Sequence, residues 1–180
     1  MKTIDIFMDI ENIGLGEDIG RSRTKAHFIS TMLPPALAQE GYVLGSVTCF
    51  ASYYHGRRLI HRRIQRGLAE ALGKYGWKLF WSSCIADDAL IRHVQGLLAQ
   101  GNLASAVMIT TNDHDFLKLA HQLRAEGRTV LIAGERPSKS FEGIADKVIS
   151  FWDWLGGHPE RISPDALEKC SRTIPNQLPL

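Results

Sequence analysis

Ala104-Ser105-Ala106-Val107-Met108-Ile109-Thr110-Thr111-Asn112-Asp113-His114-Asp115-Phe116 is the stretch that decides the fold. Its Ala-Val-Met-Ile run is short and apolar throughout, which suits a strand buried on both faces, the situation of an interior strand in a parallel sheet. The polar residues after it lead into a helix predicted over 115–126. Gly127 can take the left-handed backbone that closes such a helix, and Thr129 to Ala133 reads as the next strand. Strand, helix and strand in succession form a βαβ unit.

Moving outward, the same alternation continues. Towards the N-terminus come a helix over 87–99, a short strand over 77–81, and an amphipathic helix over 57–75 that carries Leu59, Ile60, Ile64, Leu68, Ala71 and Leu72 and stops at Gly76. Before these lie a strand over 45–52, a helix over 26–39 that Pro34 and Pro35 are expected to kink or split, and a first strand, Ile4 to Asp9. Val148 to Phe151 reads as the last strand. This rhythm predicts an α/β fold with a three-layer, doubly wound, mostly parallel, Rossmann-like sheet and function at the carboxyl ends of its strands.

Bulk properties fit one globular domain over 1–155 and a Pro/Gly-containing tail over 156–180, in which Ser163-Pro164-Asp165 could start a short helix. Of the 180 residues 44% are hydrophobic and 22% charged, close to globular averages, which excludes disordered and coiled-coil classes. No apolar run approaches the roughly 20 residues of a membrane span and no signal-peptide core precedes the first strand, so a cytoplasmic location with no membrane partner is expected. Cys49, Cys84 and Cys170 lie far apart, without zinc-ligand spacing, and are expected as reduced thiols. A net charge of +2 is too small to argue for a polyanion partner by its sum.

Four carboxylates fall at strand-to-helix junctions: Asp9, Asp87, Asp113 and Asp115. A doubly wound sheet brings such junctions to one edge, where acids repel one another unless a divalent cation compensates them. Oxygen donors of this kind suit Mg2+ or Mn2+, and such an ion serves phosphodiester hydrolysis. Each acid also has an ordinary reading: Asp87, Asp88 and Asp115 could be helix caps. Asp9 follows apolar strand residues and is succeeded by Glu11 and Asn12, themselves oxygen donors, which favours a functional role.

Phe7-Met8-Asp9-Ile10-Glu11-Asn12 resembles the opening strand of NYN domains, a PIN-like nuclease group. Ala86-Asp87-Asp88-Ala89-Leu90-Ile91 is similar to the family's middle acidic helix, and Thr110-Thr111-Asn112-Asp113-His114-Asp115-Phe116 to its third motif. Leu123 to Val130 and Ala145-Asp146 also fit, so the resemblance runs in order from Lys2 to Leu155. It implies a PIN-like fold, endoribonuclease activity, Mg2+ or Mn2+ held by Asp9, Asp87, Asp113 and Asp115, and supporting roles for Asn12, Thr111, Glu11 and Asp88. The chain departs from many relatives in carrying Ser83-Cys84-Ile85 where they have a lysine and His93 where they have a further acid; Asp88 for the acid, and Arg136 or Lys139 for the base, are the candidate replacements.

Arg58, Arg62 and Arg66 are four apart, the spacing of one helical face, with Arg57 beside them and Tyr53 and Tyr54 upstream. Arginine forks to phosphate and tyrosine stacks on bases, so this segment is a candidate RNA track, single-stranded or structured; the alternative is a solvated helix face. Three functions therefore stand: a metal-dependent endoribonuclease, a PIN-like RNA-binding module without catalysis, and a phosphatase-like phosphoryl-transfer enzyme. The last lacks a Gly-rich phosphate loop and an Asp-x-Asp motif after the first strand. A homo-oligomer stays open.

Overall fold

A computed structural model describes residues 1–15, 19–55, 58–60, 62–83 and 85–159. Six strands, β1 (Lys2–Asp9), β2 (Tyr42–Ser52), β5 (Lys78–Ser82), β6 (Ala106–Thr110), β7 (Thr129–Gly134) and β8 (Lys147–Ser150), form one sheet in the order β5-β2-β1-β6-β7-β8. Every neighbouring pair is parallel. Counted along the chain this is the order 3-2-1-4-5-6 of a Rossmann-type sheet, and its direction of winding reverses between β1 and β6. In sheets of this order the carboxyl ends of those two strands are the usual place for a ligand.

Side chains alternate between the two faces. Ile4, Ile6 and Met8 of β1 pack with Leu33 and Leu37 of α1 (Ile19–Gln39), Leu68 and Leu72 of α2 (Arg62–Gly73), and Phe151 and Trp152 of α5 (Phe151–Trp154). Phe7, Val107, Ile109 and Ile132 pack on the other face with Leu90 and Val94 of α3 (Ala86–Ala99) and Leu119 and Leu123 of α4 (Leu117–Ala125). The result is the expected three-layer α/β arrangement. No helix among the described residues is long and apolar enough to cross a membrane.

Several boundaries differ from the sequence reading. α1 begins at Ile19 and runs unbroken through Pro34 and Pro35, because both prolines are exposed while Leu33, Ala36 and Leu37 keep the buried side continuous. The helix predicted from residue 57 starts at Arg62: the preceding backbone instead forms an antiparallel hairpin of β3 (Tyr54–His55) and β4 (Arg58–Leu59), closed by Ile60 N donating to Tyr53 O at 2.7 Å. Arg58 therefore does not share a helical face with Arg62 and Arg66. A 3-10 turn, His114–Phe116, precedes α4, and the last strand gives way to α5 at Phe151. The expected helix at residues 163–165, Arg57, Cys84 and Cys170 lie outside the described residues; Cys49 is a buried free thiol.

Asp5 is a buried carboxylate in mid-strand, and its surroundings account for it fully. The β1–β2 register shifts between Ile4 and Ile6, leaving Gly45 and Ser46 opposite Asp5 as a bulge. A Cβ on Gly45 would stand 2.7 Å from Asp5 Oδ1, so glycine is required there. Ser46 donates to Asp5 Oδ1 through its amide at 3.0 Å and its hydroxyl at 2.7 Å, while Ala104 N donates to Oδ2 at 2.9 Å. Asp5→Ala would strand these donors and is expected to lower the unfolding free energy by about 3 kcal/mol. Urea denaturation measures this, and a midpoint equal to wild type would refute the bridging role.

Candidate functional site

β1 ends at Asp9, which is 4% exposed. The chain then folds back in a tight turn, with Leu15 N donating to Ile10 O at 2.8 Å and Gly14 in the left-handed region (φ +63°). Buried Lys25 of α1 pins that turn by donating to Gly14 O at 3.1 Å. Within the turn Glu11 N donates to Asp9 Oδ1 at 3.1 Å and Asn12 Nδ2 donates to Asp9 Oδ2. Both carboxylate oxygens are thus oriented by residues within three positions in sequence.

Asp87 stands in the first turn of α3, whose N-cap Ile85 offers no side-chain bond. It meets Asp9 in a side-chain hydrogen bond. Burial, that hydrogen bond and the charge of Asp87 push the Asp9 carboxyl up to about 8. Burial and the negative charges of Asp113, Asp115 and Asp88 raise Asp87 as well. Asp88 is exposed and adds charge beside Asp87; Glu11 is exposed too, its carboxylate adding charge beside Asp9 while its amide donates to it.

The third piece follows β6. Thr111 is fully buried and its hydroxyl accepts from Asp113 N at 3.0 Å; Asp113 Oδ1 accepts from Asp115 N at 3.0 Å, capping the 3-10 turn. So Asp113, not Asp115, is the cap. His114 is largely exposed, yet its ring lies over the two acids, Nδ1 at 3.2 Å from Asp113 Oδ1 and Nε2 at 3.5 Å from Asp115 Oδ1. One ligand atom from each of Asp113, His114 and Asp115 lies within 4.8 Å of the others.

Asn112 ties three loops into one edge. Its amide nitrogen donates to Asn12 O at 3.3 Å and Asn12 Oδ1 at 3.4 Å, and its Oδ1 accepts from Arg136 N at 2.8 Å. Gly134, at the end of β7, lets the loop come this close: a Cβ there would overlap the Thr111 carbonyl oxygen and stand 2.5 Å from Asn112 Oδ1. Arg136 joins this network through its backbone amide. Asp146 serves the opposite edge, accepting from Val130 N at 2.8 Å and pairing with Arg124 at 3.3 Å.

No family model matches this chain, and no curated protein matches it. A crystal structure of a protein of unknown function from Vibrio parahaemolyticus is similar in fold, with a TM-score of 0.56 and 16% sequence identity over 82% of this chain and 91% of that one. At that identity the likeness concerns the fold alone.

The residues expected to form an RNA track lie on separate elements. Tyr54 is 45% exposed at the carboxyl end of β2, whereas Tyr53 already stacks on Trp81 at 5.5 Å between ring centroids. Arg62 and Arg66 are exposed on α2. Sequence reasoning assigned no role to Asn112, Gly134 or Asp5, whose partners lie in distant segments. The glycine after the apolar β7 run was the one local hint for Gly134.

Proposed function

We propose that this chain is a metal-dependent endoribonuclease that hydrolyses RNA phosphodiester bonds at the carboxyl edge of its sheet. The observation that carries this reading is the meeting of the Asp9 and Asp87 carboxyls at the carboxyl end of the sheet, within the field of Asp113 and Asp115. Apposed acids of this kind cost stability in the absence of a counter-charge, which makes the donor set a fit for a hard divalent cation. Asp9, Asp87 and Asp113 would hold Mg2+ or Mn2+, with Asp115 completing the set or orienting water. A bound ion of this type supplies positive charge to the phosphodiester oxygens and a water acidic enough to attack near neutral pH.

The chain's own residues prepare that chemistry. Asn12 and the Glu11 amide fix the orientation of Asp9, the Thr111 hydroxyl fixes the backbone that presents Asp113, and Asn112 holds the loops in register. His114, bridging Asp113 and Asp115, is placed to pass a proton at the exposed rim.

A second reading, an RNA-binding module that does not cleave, is favoured by His93. Where the resembled family commonly has an acid, this ring lies 4.9 Å from Phe80, 5.4 Å from Phe50 and 6.1 Å from Phe7, and burial with the Lys78 charge favours its neutral form. Labelled single-stranded RNA incubated with the protein in Mn2+, Mg2+ or EDTA, beside Asp113→Asn, separates the two. Cutting that needs the ion and falls by two orders of magnitude or more in the variant supports the nuclease, from roughly 3 kcal/mol of lost transition-state stabilisation. Intact RNA that stays bound in every condition supports the module.

A further inference from the structure

The N-terminal part of α1 and the facing side of α2 enclose a cleft of about 360 Å³ lined by Gly20, Arg23, Arg63, Arg66, Gly67 and Glu70. We propose that this cleft, resting on the RNA reading above, grips the phosphodiester backbone of a single RNA strand that leaves the acidic site past the carboxyl ends of β1 and β2. Arg23 and Arg66 are both exposed, and among the described residues neither has a hydrogen-bond or ion-pair partner, although Glu70 lines the same cleft. Three guanidiniums, Arg23, Arg63 and Arg66, face this cavity against the single carboxylate of Glu70, an excess of positive charge that suits an anion, and phosphate matches the guanidinium fork.

The local fields add to this. The first turn of α2 carries no acidic residue, so the positive end of its dipole adds to the field of the arginines. The connectivity supplies direction. α1 follows the turn that carries Asp9 and Asn12, and α2 follows the hairpin that carries Tyr54, so each wall of the cleft is continuous with a segment of the candidate site. The volume lies at the small end of ligand clefts, about 300–1,000 Å³, which suits one nucleotide unit of a single strand.

The test is fluorescence anisotropy of a labelled single-stranded RNA of about 16 nucleotides, titrated in EDTA over a salt series. Wild type is compared with Arg23→Ala/Arg66→Ala and with Lys74→Ala, an exposed lysine at the far end of α2. The double variant is expected to flatten the slope of log affinity against log salt by about 1.4, at roughly 0.7 per contacted phosphate. Lys74→Ala keeps the wild-type slope, and neither millimolar inorganic phosphate nor polyglutamate displaces the RNA. Circular dichroism confirms that the variants fold. An unchanged slope in the double variant, equal competition by polyglutamate, or no saturable binding by wild type overturns the proposal. Because binding is read without divalent ions, a flattened slope in a protein that cuts nothing overturns hydrolysis and keeps the cleft. Metal-dependent cutting with an unchanged slope removes the cleft alone.

Discussion

Asp9→Asn is expected to reduce metal-dependent RNA cleavage by roughly 10³-fold and, in the same molecule, to raise the melting temperature of the metal-free protein at pH 8 by about 5 °C. The activity loss follows from removing a carboxylate at the centre of the acidic set. The stability gain follows from linkage. Between the ordinary carboxyl value of 3.8 and about 8, folded Asp9 keeps a proton that the unfolded chain has released. Unfolding free energy therefore falls as pH rises through that window, and the full cost is present above it. Asparagine does not titrate and can donate to Asp87 as protonated Asp9 does, so the variant's stability should be nearly flat over the same range. Thermal melts from pH 4 to pH 9 in EDTA measure both curves. Mg2+ should lift the wild type at pH 8 and leave Asp9→Asn unmoved; parallel curves for the two proteins would remove the electrostatic argument for the site.

Gly134→Ala is expected to lower unfolding free energy by about 3 kcal/mol and cleavage by roughly 10²-fold. Its backbone angle is not the reason, since Gly134 is not among the glycines with positive φ. The methyl would press on the Thr111 carbonyl and the Asn112 amide, which belong to backbone and to a side chain already engaged on both of its ends. Relief requires the 111–113 loop to withdraw, and Asp113 goes with it. Urea denaturation and the RNA assay read the two effects together, and a variant with wild-type midpoint and rate would show that the loop has slack.

Much of this was legible in the sequence because it is local. The Ala-Val-Met-Ile run, the alternation of strand and helix, and Asp9 beside Glu11 and Asn12 all carry their meaning within a few residues. The start of α2 was misread because Leu59 and Ile60 fit the apolar face of the helix that follows, while tertiary pairing with Tyr53 draws them into a hairpin. The start of α1 was missed because residues 21–25 are mostly charged or polar, and their burial at Ser22 and Lys25 is decided by the turn after β1. Asn112, Gly134 and the pairing of Arg23 with Arg66 depend on segments far apart in the chain, and spacing carries no trace of them.

Met8 and Thr110 stand side by side in the sheet although about a hundred residues separate them. A chain emerging from the ribosome carries Asp9 and Asp87 long before it carries Asp113. Until β6 docks on β1 the acidic set is incomplete, so the winding of the sheet makes Asp113 and Asp115 the last of the four carboxylates to reach their common edge.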